Sequence, residues 1–412
     1  MKIELLASHD PAWRTTVDEL YPLLGGGQNP TLLPYHFLQV VLPHIGGALL
    51  RVWQGDQFMG VGFALPAVAP ASAPVRAYVV RYHTVISAPA SQWELIQQEC
   101  TKALSTPHVA LYDPTLAHPY TATRRTVGTL EIGRPDGDEA MMIRRLQQQI
   151  WGSPPEFLYP TDLHSTDFPL GTSLVARVDG QLAGFLFGFY KWADEHEDGL
   201  AASPRQMLRI ESQVMGVLPA YRGLRIGFLL KKLQAEAALA QCIGVINWTF
   251  DPLQYPNAAL NFGLLRAVAL HFIPDYYPFR NELNRGPASR FSLTWPIGAP
   301  RVRAVPLYDA QSTVINLAQQ PAIVRVNQGW AQVDLAATAP RIAVEIPARW
   351  TELQQNAPEE ARQWRTATDQ IFAHYVGAAP GKYAVTDVGV EGERRFLVAT
   401  RMSDQFWQAL YD

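Results

Sequence analysis

Two hydrophobic rhythms alternate along this chain: short runs with apolar residues at every second position, and longer runs with apolar residues three and four apart. The most informative stretch runs from Met207 to Leu270. It opens with a β-like run ending at Val217-Leu218-Pro219 and passes through a short basic turn from Tyr221 to Gly227. It then places Leu229, Leu230, Leu233, Ala237 and Ala240 at helical spacing, with Lys231, Lys232 and Glu236 pointing away from that stripe. A second apolar run, Val245 to Phe250, stops at Asp251-Pro252 and predicts the next strand. A strand that feeds a turn into a helix start leaves amide N–H groups unpaired at the positive end of the helix dipole. Both features favour a phosphate there.

The same rhythm predicts a repeat. Residues 1–125 read as a worn copy of residues 126–298. Each begins with a strand and a helix: Ile3 to Ala7 then Trp13, Val17, Leu20 and Leu24, against Val127 to Ile132 then Ile143, Leu146 and Ile150. Hairpins follow, Leu49 to Trp53 turning at Gln54-Gly55-Asp56 and Leu174 to Val178 turning at Asp179-Gly180. Each copy then carries an insertion (Pro66 to Pro74; Asp194 to Pro204) and a strand ending in proline, at Pro89 and at Pro219. Each closes a further strand with Asp-Pro, at Asp113-Pro114 and Asp251-Pro252. From Ala90 to Asp113 is 23 residues and from Ala220 to Asp251 is 31. The eight extra residues match Tyr221 to Phe228, the basic turn, so only the second copy is expected to hold an anion there. Beyond Asp251 the pattern predicts a helix from Asn257 to Ala269, a strand from Leu270 to Ile273 and a closing strand from Ser289 to Trp295. Residues 299–412 read as a small α+β appendix with a strand-rich start, two central helices and final strands.

This arrangement resembles the GNAT superfamily of acyl-CoA-dependent N-acyltransferases, whose pyrophosphate loop follows Q/R-x-x-G-x-G/A. Arg222-Gly223-Leu224-Arg225-Ile226-Gly227 occupies that pattern, with Arg225 in place of the first motif glycine. The WTFDPL run (Trp248 to Leu253), Leu260-Asn261-Phe262-Gly263 and Arg290 to Trp295 are also similar to segments of a bacterial group of predicted GNAT acetyltransferases. The resemblance implies an α/β chain: a mixed-sheet GNAT-like fold in tandem, degenerate over 1–125 and acyl-CoA-binding over 126–298, followed by the appendix. It implies acetyl-CoA or another acyl-CoA as co-substrate and a small-molecule or amino-acid-like amine as acceptor.

The same resemblance assigns roles. Loop amides from Gly223 to Gly227, with Leu224 and Ile226 between them, would bind the diphosphate, aided by Arg222 and Arg225. The backbone near Val217 would pair with the pantetheine arm and donate to the thioester oxygen. Glu211, six residues before Val217, stands at the spacing of a general base; its other reading is a strand glutamate facing solvent or pairing with Arg209. The general-acid position holds Phe262, which cannot donate a proton. Tyr277, or its neighbour Tyr276, is the substitute, against a reading of both as packing residues. A side chain at position 225 costs about 1 kcal/mol or more wherever the loop demands a positive φ. His83 is expected to be a satisfied structural histidine.

Composition narrows the partners. At 412 residues with 48% hydrophobic and 17% charged, the chain is expected to fold into two or three domains. A net charge of −3 argues against nucleic acid as a bulk electrostatic partner. Arginine supplies 28 of the 34 basic residues and lysine 6. Two cysteines, Cys100 and Cys242, need neither bridge nor metal, and ten histidines show no paired metal spacing. No apolar run approaches the ~18 to 20 residues of a membrane span, and cytoplasm is the expected location. Two rival functions stay open: a transferase using another acyl donor such as aminoacyl-tRNA, and a non-catalytic ligand-binding or interaction protein.

Overall fold

The computed structural model describes residues 1–25, 35–67, 77–86, 90–112, 123–152, 158–165, 171–192, 208–241, 243–277, 287–403, 405–406 and 410. Cys242, Asp113-Pro114, most of both insertions and residues 283–286 lie outside the described residues. The chain divides into two compact units, Met1–Lys191 with Val214–Ile226, and Trp192–Gln213 with Gly227–Asp412.

In the first unit, β1 (Lys2–Ala7), α1 (Trp13–Leu23), β2 (Ala48–Gln54), β3 (Gln57–Ala67), β4 (Ala77–Thr84), α2 (Ala90–Ala103) and β5 (Val109–Tyr112) follow in order. The five strands form one sheet in sequence order, antiparallel as far as β4. β5 then runs parallel to β4, from Tyr78↔Val109 to Arg81↔Tyr112. Alternation along β2 sends Leu49 and Leu50 to opposite faces. Leu49 joins a cluster with Trp13, Val17 and Phe63, and Leu50 one with Val80, Tyr82 and Ile96.

The same unit holds β6 (Leu130–Gly133), α3 (Gly137–Trp151), β7 (Gly171–Val178) and β8 (Gln181–Trp192), with successive strands antiparallel. Asp179 and Gly180 both have positive φ (50° and 75°), as a two-residue hairpin turn of the favoured hand requires. Asp136 caps α3 and Glu139 closes the capping box, each accepting the other's backbone N–H at 2.8 Å. Glu139 also receives two nitrogens of Arg177, a β7 side chain with no exposed surface. Arg177 donates further to the Arg134 carbonyl (2.9 Å).

The strand β9 (Leu208–Val217) is shared: its first six residues belong to the second unit and its last four to the first. The second unit continues with α4 (Ile226–Leu239), β10 (Val245–Phe250), β11 (Val268–Ile273), β12 (Arg290–Pro296), β13 (Arg341–Ile346), α5 (Pro358–Tyr375), β14 (Tyr383–Glu391) and β15 (Arg394–Arg401). Its main strands run in the order β13-β15-β14-β11-β12-β10-β9. Only β9 and β10 among them pair in parallel, and they do so at Ile210↔Ile246 and Glu211↔Asn247. The helix expected to reach Ala269 stops earlier. Tyr255–Ala258 runs into a π turn, Ala259–Leu264, and Arg266 takes a left-handed φ of 61° that ends the helical path, so β11 begins at Val268.

Trp295 has no exposed surface and donates its indole N–H to the Leu265 carbonyl (2.6 Å). Trp248 and Phe250 are buried beside it, as core residues. Asp251, which closes β10, ties the appendix to this core. It accepts one Arg365 nitrogen at 2.8 Å on each oxygen, and the Trp350 indole at 3.2 Å.

The Glu139–Arg177 pair sets the first prediction. Glu139→Ala leaves a guanidinium buried without its carboxylate and opens the capping box, so it should cost about 3–5 kcal/mol. Replacing both residues with methionine should cost much less, because no buried charge remains. Urea unfolding followed by circular dichroism measures both; equal losses would show that the pair itself carries the stability.

Candidate functional site

The basic turn has the backbone that an anion cradle needs. Pro219–Tyr221 make a single 3₁₀ turn, and the Tyr221 and Arg222 amides are spent on the carbonyls of Leu218 and Pro219 (3.0 and 3.3 Å). The next amides, those of Gly223 and Leu224, have no backbone partner among the described residues. Gly223 and Arg225 are both left-handed, with φ of 87° and 59°. Left-handed residues within a turn bring successive N–H groups towards one side, and α4 starts directly after them at Ile226, with the positive end of its dipole facing the turn.

Position 225 therefore demands the backbone that glycine adopts without cost, and Arg225 adopts it with a Cβ. Its side chain is exposed, as are Arg222, Gly223 and Leu224, while Ile226 is buried and anchors the helix start. Gly184 and Gly216 are the close-approach glycines beside this turn. A Cβ on Gly184 would stand 2.9 Å from the Gly216 carbonyl oxygen and 3.2 Å from Ile226, and one on Gly216 would meet Ile150 and Phe185.

Val217, half-buried, is the last residue of β9. Pairing of β9 with β10 ends at Glu211, six residues earlier. Glu211 is half-buried and shares the register of Asn247. Arg209 is buried and reaches the Asn247 amide oxygen at 3.4 Å. On the opposite face of β9, Ser212 is buried against α4.

That opposite face carries a group that the sequence pattern places elsewhere. Lys231 lies off the apolar stripe of α4, yet it is 2% exposed. Its ammonium donates to Ser212 Oγ (2.8 Å), which donates in turn to Gln234 Oε1 (2.8 Å), and it sits 3.6 Å from the centre of the Trp248 ring. Burial pulls its pKa down to about 7, against a smaller opposing pull from Glu211. Lys232, half-buried, donates to the Val305 carbonyl (2.8 Å), and Glu236 is exposed as expected. Hydrophobic patterning does not single Lys231 out from Lys232 beside it, because the groups that enclose it come from β9 and β10 as well as from α4.

Tyr277 lies under the Arg290 guanidinium (4.9 Å from its ring centre) and edge-on to Tyr276 (4.9 Å). Arg290 in turn is 3.9 Å from Asp251, so Tyr277 belongs with the Asp251 cluster at the end of β10. Phe262 is fully buried against Phe250, a core residue as its chemistry requires. His83 is structural but not satisfied. Burial, with Arg81 beside it, lowers its pKa to about 3, and its Nε2 has no hydrogen-bond partner among the described residues. No group of three or more potential metal ligands occurs among the described residues, and no described helix is long and apolar enough to cross a membrane.

Lys231 makes stability depend on pH in a definite direction. Its folded pKa of about 7 is below the usual lysine value of 10.5, so between those values the unfolded chain holds a proton that the folded chain lacks. Stability should rise with pH across that window, by up to about 1.4 kcal/mol per unit, with the penalty fully present below pH 7. Lys231→Met should flatten the rise while leaving Ser212 bonded to Gln234. Urea unfolding at pH 7, 8.5 and 10 is the measurement; parallel pH curves for the two proteins would show that Lys231 stays charged throughout.

No protein-family model matches the chain, and no curated protein sequence matches it. Solved structures do. Naa50 of Arabidopsis thaliana, in complex with the bisubstrate analogue CoA-Ac-MVNAL, shares 14% identity over 40% of this chain and 97% of its own, with a TM-score of 0.31. The ribosomal-protein-S18-alanine N-acetyltransferase of Escherichia coli shares 12% over 41% and 94%, with a TM-score of 0.30. Diaminobutyrate acetyltransferase EctA of Paenibacillus lautus, in complex with L-2,4-diaminobutyric acid and coenzyme A, shares 14% over 41% and 95%, with a TM-score of 0.29. Each likeness extends over about two fifths of this chain.

Proposed function

We propose that this protein is an acyl-CoA-dependent N-acyltransferase, with acetyl-CoA as donor and the amine of a small or amino-acid-like molecule as acceptor. The observation that carries the reading is the turn from Arg222 to Gly227. Two left-handed residues, with the amides of Gly223 and Leu224 lacking a backbone partner among the described residues, stand directly before the start of α4. That is the backbone chemistry of a diphosphate site. In this reading residues 126–298 are the catalytic domain, residues 1–125 a degenerate copy and residues 299–412 an appendix that braces the end of β10 through Asp251.

The reaction is direct attack of a neutral amine on the thioester carbon. The carbonyl oxygen gains charge as the C–N bond forms, and a β9 amide near Val217 donates to it. The ammonium proton leaves to Glu211. The transfer runs directly or through water. Collapse of the intermediate expels the CoA thiolate, which takes a proton from solvent or from Tyr277.

Acetyl-CoA should raise the melting temperature of the full chain in a saturable way, since a ligand that binds only the folded state stabilises it. Free thiol should then appear when an amine panel is added. Glu211→Gln should lower kcat about 100-fold or more with little change in KM for acetyl-CoA. Saturable binding without thiol release would point to a ligand-binding protein, and no response to any CoA derivative would remove the cradle.

Arg225 gives a separate check on the loop. Arg225→Gly relieves about 1–2 kcal/mol of left-handed strain, partly offset by the greater freedom of glycine in the unfolded chain. It should leave stability equal or slightly higher, whereas Arg225→Val should lower it by about 1 kcal/mol or more. If the turn grips phosphate mainly through its backbone, the glycine variant should keep acetyl-CoA affinity within a few fold. A loss of 100-fold would make the guanidinium the principal contact.

A further inference from the structure

The second unit holds a cavity of about 780 Å³ that the transfer reaction does not use. It lies across β13, β15, β14 and β11, on the far side of β12 from β10 and β9 in the strand order. Its volume is within the range of small-molecule sites, roughly 300–1,000 Å³. Three guanidinium groups line it, Arg266, Arg301 and Arg341, against two carboxylates, Asp309 and Asp387.

Those charges are not evenly matched. Asp387 is taken up by Arg341 (2.8 Å) and by the Thr386 hydroxyl (2.8 Å) on the same oxygen, and Thr386 also lies 3.1 Å from the Thr400 hydroxyl. Arg341 keeps a further donor: its Nε is buried and has no hydrogen-bond partner among the described residues. Arg266 donates to the Thr313 hydroxyl, and no ion pair to a carboxylate is seen for it among the described residues. Arg301 is the brace of the wall, donating to the Arg266 carbonyl (2.8 Å) and the Leu410 carbonyl (3.3 Å). The rim is held in costly backbone, since Arg266 and Asp309 are both left-handed, with φ of 61° and 56°. The remaining wall is apolar, with Val268, Val305 and Pro306, and the Val305 carbonyl is fixed by Lys232 of α4.

The geometry points to a binding site for a small anionic ligand, a carboxylate or phosphate carried on an apolar body, with the anion held by Arg266 and Arg341 and the body against Val268, Val305 and Pro306. Guanidinium forks match either anion. The site stands independently of the acyl-transfer reading, because none of its residues belongs to the Arg222–Gly227 turn or to β9.

The test is calorimetric titration of the full chain with benzoate and with phenyl phosphate, using benzylamine and inorganic phosphate as controls. One of the two aromatic anions should bind at a single saturable site, more tightly than either control, and which one binds identifies the anion. Arg266→Gln and Arg341→Gln should each weaken it 10-fold or more, while Arg225→Gly leaves it unchanged. Melting curves identify a variant that fails to fold, and the other variant then decides. Benzylamine binding as tightly as the anions would overturn the proposal, as would unchanged affinity in both folded variants or no saturable binding of either acid. Displacement of the bound anion by acetyl-CoA would also overturn it, by placing the nucleotide in this cavity; an acetyl-CoA response without displacement leaves both sites standing.

Discussion

The site depends on how briefly β9 and β10 stay paired. Two parallel residue pairs, Ile210↔Ile246 and Glu211↔Asn247, fix the strands side by side, and β9 then runs six residues further without that partner. Beyond Glu211 no pairing with β10 consumes the backbone donors and acceptors of β9 among the described residues. The strand must nonetheless be held in place where its ladder ends, and the Ser212–Lys231–Gln234 network does this on the α4 face. A buried hydrogen-bonded lysine is a demanding way to fix a strand, since its ammonium is desolvated. Its lowered pKa is the direct expression of that cost.

A second constraint acts at the other end of β10. Asp251 terminates the strand, and its carboxylate is claimed by Arg365 and Trp350, 114 and 99 residues later. Arg365 is 5% exposed, so neither partner could be removed without stranding a buried charge. The pair explains why the run ending in Asp251-Pro252 and the Trp364-Arg365 segment occur in one chain. They are two halves of a single contact. Asp369, one turn along α5, adds a hydrogen bond from Ser289 (2.6 Å), and burial raises its carboxyl to about 6.

Much of this was legible in the sequence, and the limits have physical causes. Strands and hairpins announce themselves through local alternation and through turn residues such as Asp179-Gly180, whose positive φ values belong to the dipeptide itself. The basic turn before α4 was legible for the same reason, as a local motif. Lys231 was not, because a helical wheel sorts residues by hydrophobicity and cannot know that a serine, a glutamine and a tryptophan ring will enclose an amine. Arg266 misled by ending a helix that its neighbours favour. The anion cavity draws Arg266, Arg301, Arg341, Thr386 and Thr400 from across the second unit, so no window of sequence contains its signature.

The two halves of the proposed repeat differ at the point that matters for chemistry. In β4 and β5 the parallel register continues for four pairs, Tyr78 to Arg81, against two in β9 and β10. Aligned by their closing prolines, Pro89 and Pro219, Arg81 stands where Glu211 stands, and each is the last residue of its strand paired with the parallel neighbour among the described residues. A guanidinium cannot accept a proton from an amine, and Arg81 is buried at 7% exposure. The first copy also lacks the eight residues that form the turn before α4. Longer pairing, a cation in place of a carboxylate and a missing turn all set the first half apart from the second, and they are what the proposed reading of a degenerate first copy rests on.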